Sequence, residues 1–178
     1  MYLCNLKKHI IMQATTLTAK PLWRTLAVDA ALAGAVCLIP WLHVAAPWAI
    51  QLNPMMMLLL VGMTVIPGRF NAFFLAMLLP AFSAFAVGMP TPVRAVCMAA
   101  EFSALVTAYS LLSTTRPFKG RTLASILLAM LCGKGVYYAL KAFLGVPAAL
   151  VGTDWWMQLA SMLLWGGLFA LAAYKGAR

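Results

Sequence analysis

Six apolar runs follow one another along the chain, each close to the length that crosses a lipid bilayer. They cover Leu22 to Leu42, Trp48 to Ile66, Phe70 to Val87, Val93 to Leu112, Leu123 to Leu144 and Trp155 to Tyr174. A crossing helix needs about 20 apolar residues, and each run roughly meets this, the third being short. Inside a bilayer the backbone must satisfy its own hydrogen bonds, so only helices and closed barrels cross. A barrel would alternate apolar and polar residues over segments of about ten, and nothing here alternates. The expected fold is all-α, a polytopic membrane protein with six transmembrane helices in a single domain over residues 22–174. Pro80 lies inside the third run and predicts a kink that neighbouring helices tolerate. Residues 1–21 are expected as a short N-terminal segment, with Met12 as an alternative start, and residues 175–178 as the C-terminus. Lys7 and Lys8 imitate a signal-peptide start, but Gln13 and the threonines that follow are too polar for its apolar core. No internal repeat is evident, which disfavours an inverted-repeat transporter.

Composition agrees with the runs. The chain is 65% apolar and 9% charged, against about 45–50% and about 25% in a soluble domain. Too few charges remain to coat so much apolar surface, which excludes a soluble enzyme and a disordered tail. Three acids (Asp29, Glu101, Asp154) stand against thirteen bases, a net charge of +10. Such a balance suits nucleic acid only when the bases cluster on a soluble face. Here they fill gaps between apolar runs, so no nucleic-acid partner is expected. With the N-terminus inside, ten bases fall on one side: Lys7, Lys8, Lys20, Arg24, Arg69, Arg116, Lys119, Arg121, Lys175 and Arg178. Only Arg94 falls on the other, while Lys134 and Lys141 lie within the fifth run. The positive-inside rule then predicts both termini in the cytoplasm, in a bacterial cytoplasmic (inner) membrane. Trp41, Trp48, Trp155 and Trp156 would form the outer aromatic belt, and Trp23 and Tyr174 the inner one.

Motifs for catalysis are missing. The chain has no GxxxxGK[ST], so it does not hydrolyse ATP itself; it has no HExxH, no GxSxG and no Asp-rich cluster. Two histidines and three acids leave little for acid–base work, and no enzyme is expected. Cys4, Cys37, Cys97 and Cys132 are scattered, without the spacing of a zinc or iron–sulfur site, so no metal centre or resident cofactor is expected. Met55, Met56 and Met57 are consecutive and point in different directions on a helix, which suits core filling better than a soft-metal site.

Two helices carry more specific patterns. On the first, Ala27, Ala31 and Ala35 recur every four residues, and Ala30 and Gly34 form a second row. Small residues at that spacing let another helix approach closely; internal packing is the competing reading. Asp29 is expected to reach interfacial water or to pair with Arg24. On the fifth, Lys134, Tyr137, Tyr138 and Lys141 share one face. Intramembrane charges are costly and usually face a bundle interior or a wet cavity. Glu101 on the fourth helix is the natural partner. Counted from Ala95, it lies about 9 Å below the outer surface, and Lys141 about 6 Å below it. The matching depths predict a Glu101–Lys141 pair lining an outward pocket. The competing reading is that Lys141 snorkels to the interface.

The stretch 52–112 resembles the S-components of energy-coupling factor (ECF) vitamin transporters. The likeness rests on Pro54-Met55 entering helix two, Gly68-Arg69 in an inner turn, Pro80 in helix three, Gly88-Met89-Pro90, and Met98 with Glu101 in helix four. Met56 stands where that group often has His, and Phe102-Ser103 where it often has Tyr-Gly. The resemblance implies a subunit that captures a micronutrient outside and docks through the small-residue face of helix one, at Ala27, Ala31 and Ala35. The partner would be a transmembrane coupling subunit. Two separate ATPases would drive toppling of the subunit, releasing the ligand inside. Expected binding residues are Asn53, Met89, Glu101, Tyr138, Lys141 and Trp155, an apolar pocket with few polar groups. Any bound molecule would be a vitamin-type ligand rather than a built-in cofactor, with cobalamin among the candidates. The alternatives are a small membrane scaffold or assembly protein, and an autonomous small transporter.

Overall fold

The computed structural model describes residues 22–48, 52–66, 68–113, 121–145 and 155–176. Among them every regular element is helical. The order is α1 (Leu22–Val36), α2 (Ile39–Ala45), α3 (Pro54–Val65), α4 (Arg69–Phe82), a π-helical turn (Ser83–Val87), α5 (Pro92–Ser113), α6 (Arg121–Phe143) and α7 (Trp155–Gly176). The N-terminal segment 1–21, the basic loop holding Arg116 and Lys119, and Asp154 lie outside the described residues.

Prolines set most of the breaks. The first apolar run is two helices, because Pro40 cannot donate a backbone hydrogen bond and its ring crowds the carbonyl four residues earlier. That residue is Val36, where α1 ends. Cys37 and Leu38 donate instead to Gly34 and Ala35, at 3.0 and 3.1 Å, closing a tighter turn. Among the described residues of the second run, α3 starts at Pro54, which occupies the first position that proline tolerates. Asn53 caps it in the left-handed region (φ 53°), and its side chain accepts from the Met56 N–H at 3.3 Å. In the third run Pro80 lies inside α4, and three residues later the helix widens into the π turn. Widened turns of this kind accompany a break in the regular helical ladder. Gly88, at φ 73°, reverses the chain where a side chain would be strained. The buried Ser83 hydroxyl donates to the Met89 carbonyl and ties the turn to the helix it leaves.

Five stretches are long and apolar enough to cross a membrane: Trp23–Ala45, Arg69–Val87, Pro92–Ser113, Thr122–Phe143 and Trp156–Tyr174. Among the described residues, five of the six expected spans reach full length and the second is represented by the shorter α3. Helix α3 has 12 residues, about 18 Å of axis against a hydrocarbon core of about 30 Å. The Trp165 indole donates to the Leu52 carbonyl at 2.6 Å, just ahead of α3. Trp165 is ten residues into α7, about 15 Å along its axis, so α3 starts partway down the bundle.

The core is mostly apolar, with Met56, Leu59, Leu75, Phe102, Leu105, Ile126 and Met130 fully buried, and Asp29, Ser83, Glu101, Ser125 and Ser161 are its buried polar residues. The outside is apolar too. Phe70, Phe85 and Phe143 are at least 86% exposed, and Trp23, Trp41, Trp48 and Trp156 are exposed as well. Apolar residues on both surfaces are what a multi-pass membrane protein presents to lipid.

Helices α5 and α6 approach closely at Gly133. A methyl group there would sit 2.7 Å from the Glu101 carbonyl oxygen and 3.3 Å from Leu105 Cβ. Gly135, two residues on and on the far side of the helix, has open space. Gly133→Ala is therefore expected to lower stability by about 1–3 kcal/mol through overpacking, whereas Gly135→Ala should be neutral or slightly stabilising, as helix propensity favours. Thermal unfolding of both variants in detergent tests this, and equal melting points would refute the close approach.

Candidate functional site

Glu101, Arg94, Lys134 and Lys141 gather toward one end of α5 and α6. Glu101 is 1% exposed, and its carboxylate meets the Lys134 ammonium at 2.7 Å. The expected Glu101–Lys141 pair is thereby corrected. Helix α5 begins at Pro92, three residues before the assumed outer start at Ala95, and α6 ends at Phe143, one residue short of its apolar run. Glu101 and Lys134 each lie nine residues from that end, about 14 Å along antiparallel axes, whereas Lys141 is only about 3 Å from it. The register continues in both directions. Seven residues outward, Arg94 comes level with Lys141, and inward Leu105 faces Gly133.

Around the ion pair is a polar cluster. The ammonium groups of Lys134 and Lys141 each lie 5.3 Å from the centre of the Tyr137 ring. That distance permits cation–π attraction, worth about 0.5–2 kcal/mol depending on desolvation. Tyr137 is buried and meets Tyr138 edge to face at 5.5 Å. The Tyr138 hydroxyl donates to Gln158 Oε1 at 2.7 Å, joining α6 to α7. Arg94, exposed in the first turn of α5, reaches Tyr137, Lys141 and Glu101 electrostatically. Three helices thus supply cations, ring faces and one amide to one end of an otherwise apolar bundle.

Not every expected binding residue joins this cluster. Glu101, Tyr138 and Lys141 do. Asn53 is half-buried and serves as the cap of α3. Met89 is 62% exposed in the turn before α5, its carbonyl held by Ser83. Trp155 is the first residue of α7. Lys134, Tyr137, Arg94 and Gln158 complete the cluster and were not expected as contacts. Only the face shared by Lys134, Tyr137, Tyr138 and Lys141 signalled two of them.

The small-residue strip also shifts. Ala27, Ala30, Ala31 and Gly34 are exposed, and nothing lies within 4 Å of a methyl placed on Gly34. Ala35 is half-buried against the core and leaves the strip. Eight residues past Ala27 is about 80° beyond two full turns. The opposite face buries Asp29, Leu32, Ala33 and Val36. Asp29 accepts from Asn71 Nδ2 at 3.2 Å; that amide takes the place of the expected Arg24 or interfacial water.

A cleft of about 450 Å³ opens at the opposite end of the bundle, beside Arg69, Thr64, Tyr109, Ser110 and Phe169. It does not coincide with the charged cluster. Among the described residues no three His, Cys, Asp or Glu side chains converge as metal ligands.

Removing one partner of a buried ion pair strands a charge and costs about 3–5 kcal/mol, while removing both costs far less. Lys134→Met and Glu101→Gln should each lower stability on that scale, and the double variant should recover most of the loss. A double-mutant cycle by unfolding in detergent measures the coupling; additive losses would show that the pair contributes nothing. Comparison of the chain with known protein families, with curated proteins and with solved structures finds no match.

Proposed function

We propose that the chain is a substrate-capture subunit of an ECF-type importer, a non-catalytic membrane protein that binds a micronutrient. The observation that carries this reading is the charged and aromatic cluster of α5, α6 and α7. Buried charge is expensive in a bilayer, and it usually marks a ligand or ion path. A cluster confined to one end suits a dead-end pocket better than a continuous channel. On the positive-inside reading that end faces outward, and both termini lie in the cytoplasm.

Two further features support it. One face of α1 is exposed and built from Ala27, Ala30, Ala31 and Gly34, a surface on which another membrane helix can pack closely. The coupling subunit would dock there, with separate ATPases supplying the energy that this sequence has no motif to extract. The stretch 52–112 carries the motifs of the S-component resemblance. The ligand would be a vitamin or related micronutrient held by Glu101, Tyr138 and Lys141, with Asn53, Met89 and Trp155 contributing from neighbouring turns.

The two halves of the reading separate by mutation. Ala27→Trp and Ala31→Trp should abolish uptake in cells and co-purification of a coupling subunit, while leaving bound small molecules unchanged by mass spectrometry. Full uptake by these variants would eliminate the docking face. Uptake that persists after ATP depletion would eliminate an ATPase-driven mechanism.

A further inference from the structure

We infer that the cleft at the end of the bundle opposite the ion pair holds an anionic phospholipid, its phosphate on Arg69 and the start of its acyl chains between α3, α5 and α7. The site is separate from the charged cluster and stands independently of the capture reading. Four helices wall it: Thr64 near the end of α3, Arg69 at the start of α4, Tyr109 near the end of α5 and Phe169 in α7. Its volume of about 450 Å³ falls among small-molecule sites, which span about 300–1,000 Å³.

The polar groups of the cleft suit an anion. Thr64, Ser110 and Ser113 donate their hydroxyl protons to carbonyls of their own helices, at 2.8, 2.8 and 3.3 Å. Two donors are left over. The Arg69 guanidinium is exposed and has no ion-pair or hydrogen-bond partner among the described residues. The Tyr109 hydroxyl has no hydrogen-bond partner among them either, while its ring is fixed edge to face against Phe169 at 5.2 Å. Among the described residues no acid lines the cleft, so the cation there is unbalanced. A phosphate accepts from such donors, and Arg can give it two parallel hydrogen bonds.

Depth favours a lipid over a soluble phosphate. Ser113 ends α5 and Gly176 ends α7. The cleft reaches Val106 and Phe169, each seven residues further in and about 10 Å along its helix. Both are buried, and with Met63, Ala172 and Ala173 they make an apolar wall behind the cation. A free phosphate matches only the mouth of such a cleft. A phospholipid carries apolar chain directly behind its phosphate and matches both parts. On the positive-inside reading this end meets the cytoplasmic leaflet, whose surface is anionic, and basic pockets between transmembrane helices on that side bind anionic headgroups.

The test uses the full chain in a neutral detergent, with phosphatidylglycerol, phosphatidylcholine or inorganic phosphate added. Phosphatidylglycerol should raise the melting temperature and stay on the protein in native mass spectrometry; the other two should do neither. Arg69→Gln should weaken that binding at least about tenfold, as expected for loss of a charged hydrogen bond. Ala172→Phe, which fills the cleft and leaves Arg69 in place, should weaken it as well. Arg24→Gln removes an exposed cation that does not line the cleft and should leave binding unchanged. Equal losses from Arg69→Gln and Arg24→Gln would reduce the effect to diffuse charge attraction and overturn the site. Equal stabilisation by inorganic phosphate would assign the cleft to a soluble anion and overturn the lipid. Lipid binding gained only after residues 114–120 are replaced by a glycine–serine linker would assign the cleft to that loop, and no stabilisation by phosphatidylglycerol would likewise overturn the proposal.

Discussion

The contact between Glu101 and Lys134 governs the packing of α5 against α6. An ionised carboxylate at 1% exposure is tolerable only with a counter-charge at hydrogen-bonding distance. That requirement allows one register of α5 against α6, because sliding either helix by a turn strands both charges. Gly133, next to Lys134, makes the register sterically possible by letting the Glu101 carbonyl pass where a methyl would block it. Ion pair and glycine are thus one device: the first specifies the alignment, the second lets the backbones close on it. The common level of Arg94 and Lys141, each seven residues outward from the pair, follows from it.

Much of this was legible in the chain, and the misreadings share a cause. Helices α5, α6 and α7 begin and end within two residues of their apolar runs, since bulk hydrophobicity decides where a membrane helix lies. The polar face of α6 follows from the helical period alone. The partner of Glu101 does not. Register depends on helix ends, and Pro92 starts α5 three residues before the first residue counted as buried in lipid. Three residues are nearly one turn, so depth matching selected Lys141, two turns from the true partner. Asp29 shows the same limit: its partner Asn71 is 42 residues away, and no local rule connects them.

Proline explains the other departures. Pro40 ends α1 four residues upstream of itself, and Pro54 delays α3 to a point partway down α7. Hydropathy reads straight through both positions, because proline alters backbone hydrogen bonding without making a run polar. The result is one half-length helix in a bundle otherwise made of full crossings. Irregular backbone at membrane depth is tolerated where protein buries it or a wet cavity lines it. Here the Trp165 indole satisfies the Leu52 carbonyl, so the start of α3 is capped by Asn53 within the helix and by α7 across it.

The two ends of the bundle divide the chemistry between them. Bilayer helices gain little from burying apolar side chains against each other, since lipid is equally apolar. Specific polar contacts therefore carry more of the alignment than in a soluble protein. Asn71 with Asp29 joins α1 to α4, Glu101 with Lys134 joins α5 to α6, and Tyr138 with Gln158 joins α6 to α7. The α5–α7 group also holds the excess of cations, whereas α1 turns a smooth face of small side chains outward. A protein that must hold a polar solute on one set of helices and press against a partner with another needs this separation. On the proposed function, charge on α1 would cost desolvation at each docking encounter, and small residues around the cations would provide nothing to grip a ligand.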